Sequence, residues 1–550
     1  MAPKAFVPST LGAPLLAILG LLSFVPQAMA QERAEIEQLQ ATTQALIETL
    51  VESGVLTRES ASKLLAVAKA KVQAQAPVAE LGKDGKKVVR VPYVPESLKN
   101  EMRNQIKEEV LVQARSERWG EPGTFPEWTR RFKFEGDFRL REERTSLSPD
   151  NTAALDYQTT ALTRAADIVQ SASSINKQAN FNTQDDANRL RLRARLGATA
   201  TLSDEVSATL RLSTGNTSDR TSTNQTLGQY FNKYSVVVDQ AYVALQPFGP
   251  QLTLSGGRLP NPFFSTDLVW ADDLGFEGVA VTARKDVFAN GSGFVTAGYF
   301  PLSENRPGTS RSRSLVGVQA GLDMKLGASS NRLKIGLAVY DYQGIEGQQE
   351  DLASSFLERE YATRYEYPAG FRQRGNTLFN VRAPGDTAAA TYGLASGFRQ
   401  LNLTAALDLV NLLPKPLRIT GDYVKNLKFS RSEIAQRTGV ALADGKDYGF
   451  LAKAQVGALQ TLKRGDWNAS LAYRYLGSDA ALDAFTNSDF GLGGTNNKGF
   501  ILGMNYGIFN NTWLSARWMS SNPIHSYSPG SLTPTKLSVD TVQLELNTRF

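Results

Sequence analysis

From Arg131 onward the chain alternates between apolar and polar positions. Phe132, Phe134, Phe138 and Leu140 share one parity with Gly136, while Lys133, Glu135, Asp137, Arg139 and Arg141 hold the other. Leu190, Leu192, Ala194, Leu196, Ala198 and Ala200 alternate in the same way with Arg189, Arg191, Arg193, Arg195, Thr199 and Thr201. A period of two sends successive side chains to opposite faces of an extended strand, and about ten such residues cross a bilayer at the tilt of a barrel wall. Fourteen further stretches read as strands: Val206 to Thr214, Val236 to Leu245, Gln251 to Arg258, Phe276 to Arg284, Gly293 to Phe300, Leu315 to Met324, Leu333 to Tyr342, Gln400 to Leu409, Leu417 to Lys425, Tyr448 to Ala458, Trp467 to Leu476, Gly499 to Tyr506, Thr512 to Ser520 and Val539 to Phe550. Together they predict sixteen.

Alternation alone would also suit a soluble sandwich, and the connections decide against one. The odd ones are long, from Glu142 to Asn188 at the first to Ser521 to Ser538 at the last, while the even ones are tight, such as Ser203 to Glu205 and Gly507 to Asn511. Strict long/short alternation is the pattern of an antiparallel up-and-down transmembrane β-barrel, with long loops outside and short turns in the periplasm. An even strand count returns both ends of the barrel to the periplasmic side. A lipid-facing Arg or Lys costs about 2–4 kcal/mol at mid-membrane, so the arginine-rich parity is expected to face the lumen. Phe132, Trp467, Tyr475, Tyr506, Trp513, Trp518 and Phe550 are then candidates for the interfacial aromatic girdles.

Ahead of the barrel the pattern differs. Lys4, an apolar run from Leu11 to Val25 and the small residues of Ala28-Met29-Ala30 read as a secretory signal peptide over residues 1–30. Residues 31–126 are expected to form a periplasmic α-helical segment. Ile36, Leu39, Thr43, Leu46 and Leu50 make a short coiled-coil stripe, Pro77 to Pro95 a linker, and Leu98, Met102, Ile106, Val110 and Ala114 an amphipathic helix. Such an arm could hold a homotrimer together or stand alone in solvent. The membrane barrel then occupies 127–550.

Composition changes this picture little. The 550 residues carry 60 Lys plus Arg against 54 Asp plus Glu, and 41% are hydrophobic. The mean hydropathy of −0.28 looks soluble because alternation cancels in an average. The net charge of +6 is too small to argue for nucleic acid. With no Cys and a single His, His525, thiolate chemistry, multi-histidine metal sites and most histidine-based acid/base constellations are excluded. No cofactor is expected, and the sole hydrolase candidate would be His525 beside Ser526 and Ser528.

By parity the inward basic positions are Lys133, Arg139, Arg141, Arg189, Arg191, Arg193, Arg195, Arg211, Arg332, Lys334, Arg418, Lys453, Arg474, Arg517 and Arg549. The inward acids are Glu135, Asp137, Asp239, Asp323, Asp408, Asp422 and Glu545. An excess of about eight positive charges in a low-dielectric tube implies a mild preference for anionic solutes. Alternatively the basic ladder pairs with acids on an inserted loop and confers no net selectivity. The expected constriction is Gln343 to Arg399, long enough to fold inward and carrying Glu358, Arg359, Glu360, Arg364 and Glu366; Glu142 to Asn188 is the second candidate.

Several short stretches resemble one family. Tyr93-Val94-Pro95-Glu96, Pro126-Glu127-Trp128, Gly136-Asp137-Phe138-Arg139-Leu140-Arg141 and Gly257-Arg258-Leu259-Pro260-Asn261-Pro262-Phe263 resemble the putative porins of Gram-negative bacteria. The last strand, Leu544 to Phe550, looks like the terminal strand of outer-membrane barrels, whose final Phe is read by the assembly machinery. The resemblance covers most of the mature chain. It implies an outer-membrane channel in contact with lipid, through which small hydrophilic solutes diffuse passively, and brings no particular solute. The alternative function is a structural anchor or adhesin tying the membrane to periplasmic or cell-wall partners.

Overall fold

In the computed structural model of the chain, the described residues are 108 and 127–550, without 153–181, 216, 218, 305–310, 328–329, 351–363, 369, 384–390, 411, 440–445 and 526–535. The expected signal peptide, coiled coil and linker, and all of the amphipathic helix save Glu108, lie outside them. The barrel belongs to a unit spanning Pro122–Phe550.

Each alternating stretch is a strand. We number them β1 (Phe132–Leu147), β2 (Ala187–Thr201), β3 (Val206–Thr214), β4 (Val236–Leu245), β5 (Leu252–Pro260), β6 (Gly275–Phe288), β7 (Gly291–Ser303) and β8 (Arg313–Lys325) in the first half. The second half comprises β9 (Arg332–Gln343), β10 (Arg399–Leu409), β11 (Leu417–Asn426), β12 (Tyr448–Gly457), β13 (Trp467–Leu476), β14 (Asn497–Phe509), β15 (Thr512–Pro523) and β16 (Val539–Arg549). Consecutive strands pair antiparallel, and β1 pairs with both β2 and β16, closing a sixteen-stranded barrel whose ladder is interrupted over part of the β4–β5 seam. Closure leaves every strand a neighbour on each side, which backbone amides in hydrocarbon require.

One face meets the surroundings. Phe134, Leu196, Val243, Val281, Leu337, Leu403, Leu471, Leu502 and Leu544 are exposed on the outside, a belt that gains stability only against lipid tails. Aromatic residues flank it. At the end of β12–β14 nearest the long loops, Tyr448 stacks on Tyr475 at 5.3 Å, Phe450 on Tyr475 at 5.5 Å, and Tyr473 meets Phe500 edge-on at 4.9 Å. Trp467 and Tyr506 are register partners at the other end. Trp513 departs from the girdle expectation: it lines the lumen, with the Arg549 guanidinium 5.9 Å from its ring. It sits five residues before the outward Trp518, so alternation turns the two opposite ways.

The chain end is fastened to the first strand. Phe550 N donates to Gly136 O at 3.0 Å and Gly136 N to Phe550 O at 3.1 Å. The Phe550 ring covers Gly136 so closely that a Cβ there would lie 2.5 Å from its Cζ. The C-terminal aromatic thus completes the β1–β16 seam.

One stretch of wall is incomplete. β4 pairs with β3 along its length, with a bulge at Arg211/Leu212, but with β5 only from Ala241↔Arg258 to Leu245↔Leu254. Beyond that point β5 and β6 bend away together at two directly paired glycines, Gly257 (φ +125°) and Gly278 (φ +146°). Both φ values are ones that only glycine adopts easily.

Candidate functional site in the barrel lumen

The segment that crosses the lumen is the short connection between β5 and β6, residues 261–274. Asn261 starts the inward turn, accepting from Phe263 N at 2.9 Å and donating to Ser265 Oγ. The buried Gln319 side chain of β8 then clasps the backbone of Phe264 from both sides, accepting from its N and donating to its O at 2.7 Å each. On β11, Asp422 accepts from Thr266 N at 3.1 Å and Thr266 Oγ1 at 2.6 Å, while Asn402 of β10 holds its other oxygen. Arg474 of β13, fully buried, donates to Asp267 O and lies 5.4 Å from the Phe490 ring. Three separate strands thus fasten this one segment directly, with a fourth bracing Asp422.

Its apolar residues fill part of the barrel. Trp270 packs edge-on against Phe276 (4.9 Å) and Tyr340 (5.1 Å), and Phe263 against Phe300 and Tyr340. These rings join Leu268, Leu315 and Phe485 in a buried cluster against β6–β9. The long-loop side is covered by 364–368, 370–383 and 391–398 packed on 477–496: Tyr367 Oη donates to Asp483, Asn376 Nδ2 to Ser478 O and Ala481 O, and Thr377 Oγ1 to Asp479. What stays open is a cavity of about 820 Å³ against β1–β4 and β11–β16.

Of the arginine ladder, Arg139, Arg141, Arg193 and Arg195 line that cavity, Arg189 and Arg191 do not, and all six have carboxylate partners. Register places Arg139 opposite Arg193 and Arg141 opposite Arg191, like-charge pairs that would repel without carboxylates between them. Asp137 meets Arg193 at 2.8 Å and Arg195 at 2.7 Å. From the inserted segment, Asp273 reaches Arg195 at 3.1 Å, Arg193 at 3.2 Å and Arg139 at 3.9 Å. Glu545 contacts Arg141 at 2.6 Å, and Asp489, on a loop, bridges Arg141 and Arg517 at 2.9 Å each. Glu143 joins Arg189 and Arg191. Charge-assisted hydrogen bonds of this density fix the guanidinium planes in place.

The remaining residues named from sequence lie in several places. Arg211 pairs with Asp239 at 2.6 Å and Arg418 with Asp408 at 2.5 Å, both on the inner wall. Lys334 places its Nζ 4.2 Å from the Phe264 ring, beneath the inserted segment. In the long 344–398 connection, Arg364 and Glu366 offer backbone carbonyls to Arg313 Nη2 and do not line the cavity. Glu358, Arg359 and Glu360 lie outside the described residues, as do Ser526 and Ser528, while His525 exchanges hydrogen bonds with Asn496.

The residues that sequence reasoning missed are acidic. Asp267, Asp272, Asp273 and Asp489 come from loops, and Glu143 lies on the part of β1 that extends past the expected Arg141. Counting these five reduces the inward excess of about eight positive charges to about three. Burial opposes ionisation of Asp489, yet Arg141, Arg517 and Arg191 hold its carboxyl well below the usual range. Asp272 shows the reverse: burial, then the charges of Asp267 and Asp273, push its carboxyl up to about 6. A signal was available, because Phe263, Phe264, Leu268, Val269 and Trp270 form an apolar run that water would not tolerate in an external loop.

A closed barrel with an apolar outer belt, an aqueous charged interior and a chain segment fastened across it is a membrane channel fold. The profile of the family described as "Putative porin" matches residues 40–550, and the chain belongs to that family. No curated protein matches the sequence. Among solved structures, OprB of Pseudomonas putida is similar at 11% identity over 77% of this chain and 95% of its own, with a TM-score of 0.42. The outer membrane channel DcaP of Acinetobacter baumannii is similar at 10% identity over 76% and 97%, with a TM-score of 0.37. A loop-deletion form of OmpT of Vibrio cholerae is similar at 10% identity over 76% and 100%, with a TM-score of 0.36.

Proposed function

We propose that the protein is an outer-membrane porin through which small hydrophilic solutes diffuse passively, with a mild preference for anions. The observation that carries this is the polar, charged cavity left open beside the inserted segment, inside a barrel whose outer face is apolar. Strands β1 and β2 supply a rigid row of guanidinium groups, and the inserted segment sets the clearance facing them. The row's carboxylate partners weaken its field without abolishing it. Passage needs no energy input: selectivity comes from clearance and wall charge. The terminal Phe550 serves recognition by the barrel assembly machinery, and the helical arm, in the periplasm, serves assembly into a trimer. The test is swelling of proteoliposomes in isosmotic arabinose and larger sugars. A porin gives swelling that falls with sugar size, whereas liposomes that stay silent with every sugar, despite correctly folded protein, overturn the reading in favour of an anchor.

A further inference from the structure

We infer that the break in the wall between β4 and β5 opens into a binding site for an amphiphilic monoanion, a carboxylate bearing an aromatic or short aliphatic tail, which enters from the side of the barrel. The inference goes beyond passage of hydrophilic solutes and does not depend on the central path conducting.

The break is built by sequence. The paired glycines Gly257 and Gly278 bend β5 and β6 away from β4, and a Cβ at either would lie 2.2–2.3 Å from a neighbouring carbonyl oxygen. Only five residue pairs then join β4 to β5. A side chain replaces part of the missing ladder: Arg258 Nε donates to Asp239 O at 2.8 Å across the break, and its Nη1 to Glu277 at 2.5 Å. Val236 and Val238 stand exposed beside the opening.

Behind it lies a second cavity of about 350 Å³, near the lower end of small-molecule pockets at roughly 300–1,000 Å³. Trp270, Phe276, Phe300, Leu315, Phe371 and Phe485 give it an apolar wall. Its acids are already held: Asp219 by Thr221 N, Thr221 Oγ1 and Ser222 N, Asp239 by Arg211, Asp273 by Arg193 and Arg195, and Glu277 by Arg258. Arg220 is different. Its guanidinium lies 4.3 Å from the Phe371 ring and donates to Gly370 O, and among the described residues no carboxylate is within 4.0 Å of it. A cation at the edge of an aromatic pocket with no close ion pair among the described residues, on which Asp219 and Glu277 act only from farther away, fits one carboxylate with an apolar tail.

The experiment is equilibrium dialysis of 4-phenylbutyrate against the full protein in lipid nanodiscs, with empty discs as the blank and acetate as the tailless control. Saturable binding of 4-phenylbutyrate but not acetate is expected. Arg220→Gln should weaken binding at least about tenfold through loss of a charge-assisted contact. The chain has no Cys, so Val238→Cys supplies one thiol at the opening. A bulky maleimide on it should slow 4-phenylbutyrate association, read by Trp fluorescence, relative to the same protein unlabelled. No saturable binding in the wild type, unchanged affinity in a folded Arg220→Gln variant, or unchanged association after labelling each overturns the proposal. Sugar swelling tests the channel separately, so failure of either reading is recognisable by itself.

Discussion

Asp273→Asn isolates the contribution of the inserted segment to ion selectivity. The carboxylate sits 3.1–3.9 Å from the guanidinium groups of Arg195, Arg193 and Arg139 and accepts from Thr223 Oγ1 at 3.2 Å. An amide of the same shape keeps a hydrogen-bond acceptor and removes one negative charge from the cavity wall. For an ion passing about 6 Å away, a unit charge is worth about 1 kcal/mol at an effective dielectric between bulk water and the protein surface. Screening at 0.1 M salt leaves about half of that, gained by the anion and lost by the cation, so the anion-to-cation permeability ratio rises by a factor of about 5. In planar bilayers under a tenfold KCl gradient, such a factor moves the reversal potential of a nearly unselective pore by about 30 mV toward the chloride potential. No movement, or movement toward potassium, with conductance unchanged would show that the ladder and its loop partner do not face the conducting path.

Other outcomes follow from the same geometry. Asp422→Ala removes the acceptor for Thr266 N, Thr266 Oγ1 and Asn402 Nδ2, a loss of about 2–4 kcal/mol from bonds to a charged group; larger, noisier single-channel steps are expected as the segment loosens. Asp272 has its carboxyl pushed up to about 6 by burial and by Asp267 and Asp273, against the opposing pull of Arg517 and Lys453. Its raised value favours the protonated form in the folded state, so its ionisation costs stability in full above about pH 6, and that cost falls away as the pH drops from there toward the ordinary value of 3.8. Lowering the pH from 8 to 5 should therefore raise anion preference in a step centred near 6, and Asp272→Asn should remove that step. Gly136→Val drives a Cβ into the Phe550 ring and toward Arg195 O, overpacking that costs about 1–3 kcal/mol. A lower yield of the folded form after refolding, read by heat-dependent mobility on a gel, is expected, while Gly421→Ala, with open space at its Cβ position, should refold normally.

Much of this architecture was readable from period and spacing. A wall facing lipid on one side and water on the other needs alternation in every strand, so Arg189, Arg191, Arg193 and Arg195 announced both a strand and its inner face. Long and short connections gave the up-and-down order and the even count. Strand ends were less clear, because β1 continues past Arg141 to Leu147 through Glu142, Glu143, Arg144, Thr145 and Ser146, a stretch without apolar alternation. The lumen was read only by half. Parity identifies wall positions, but Asp273 and Asp489 reach the ladder from loops through contacts more than 70 residues apart in sequence, such as Arg195 to Asp273. Length drew attention to Gln343 to Arg399, whereas the crossing segment is short and betrayed only by the apolar run from Phe263 to Trp270. The kink at Gly257 and Gly278 was equally hidden: each glycine sits within an alternating strand, and only register shows them face to face.

Single-channel recording of the purified protein in planar bilayers tests the central claim most directly. Discrete, ohmic conductance steps in KCl, with a reversal potential displaced mildly toward chloride in a salt gradient, are expected from a lumen lined by a partly neutralised arginine ladder. A folded barrel that inserts and stays electrically silent would contradict the account.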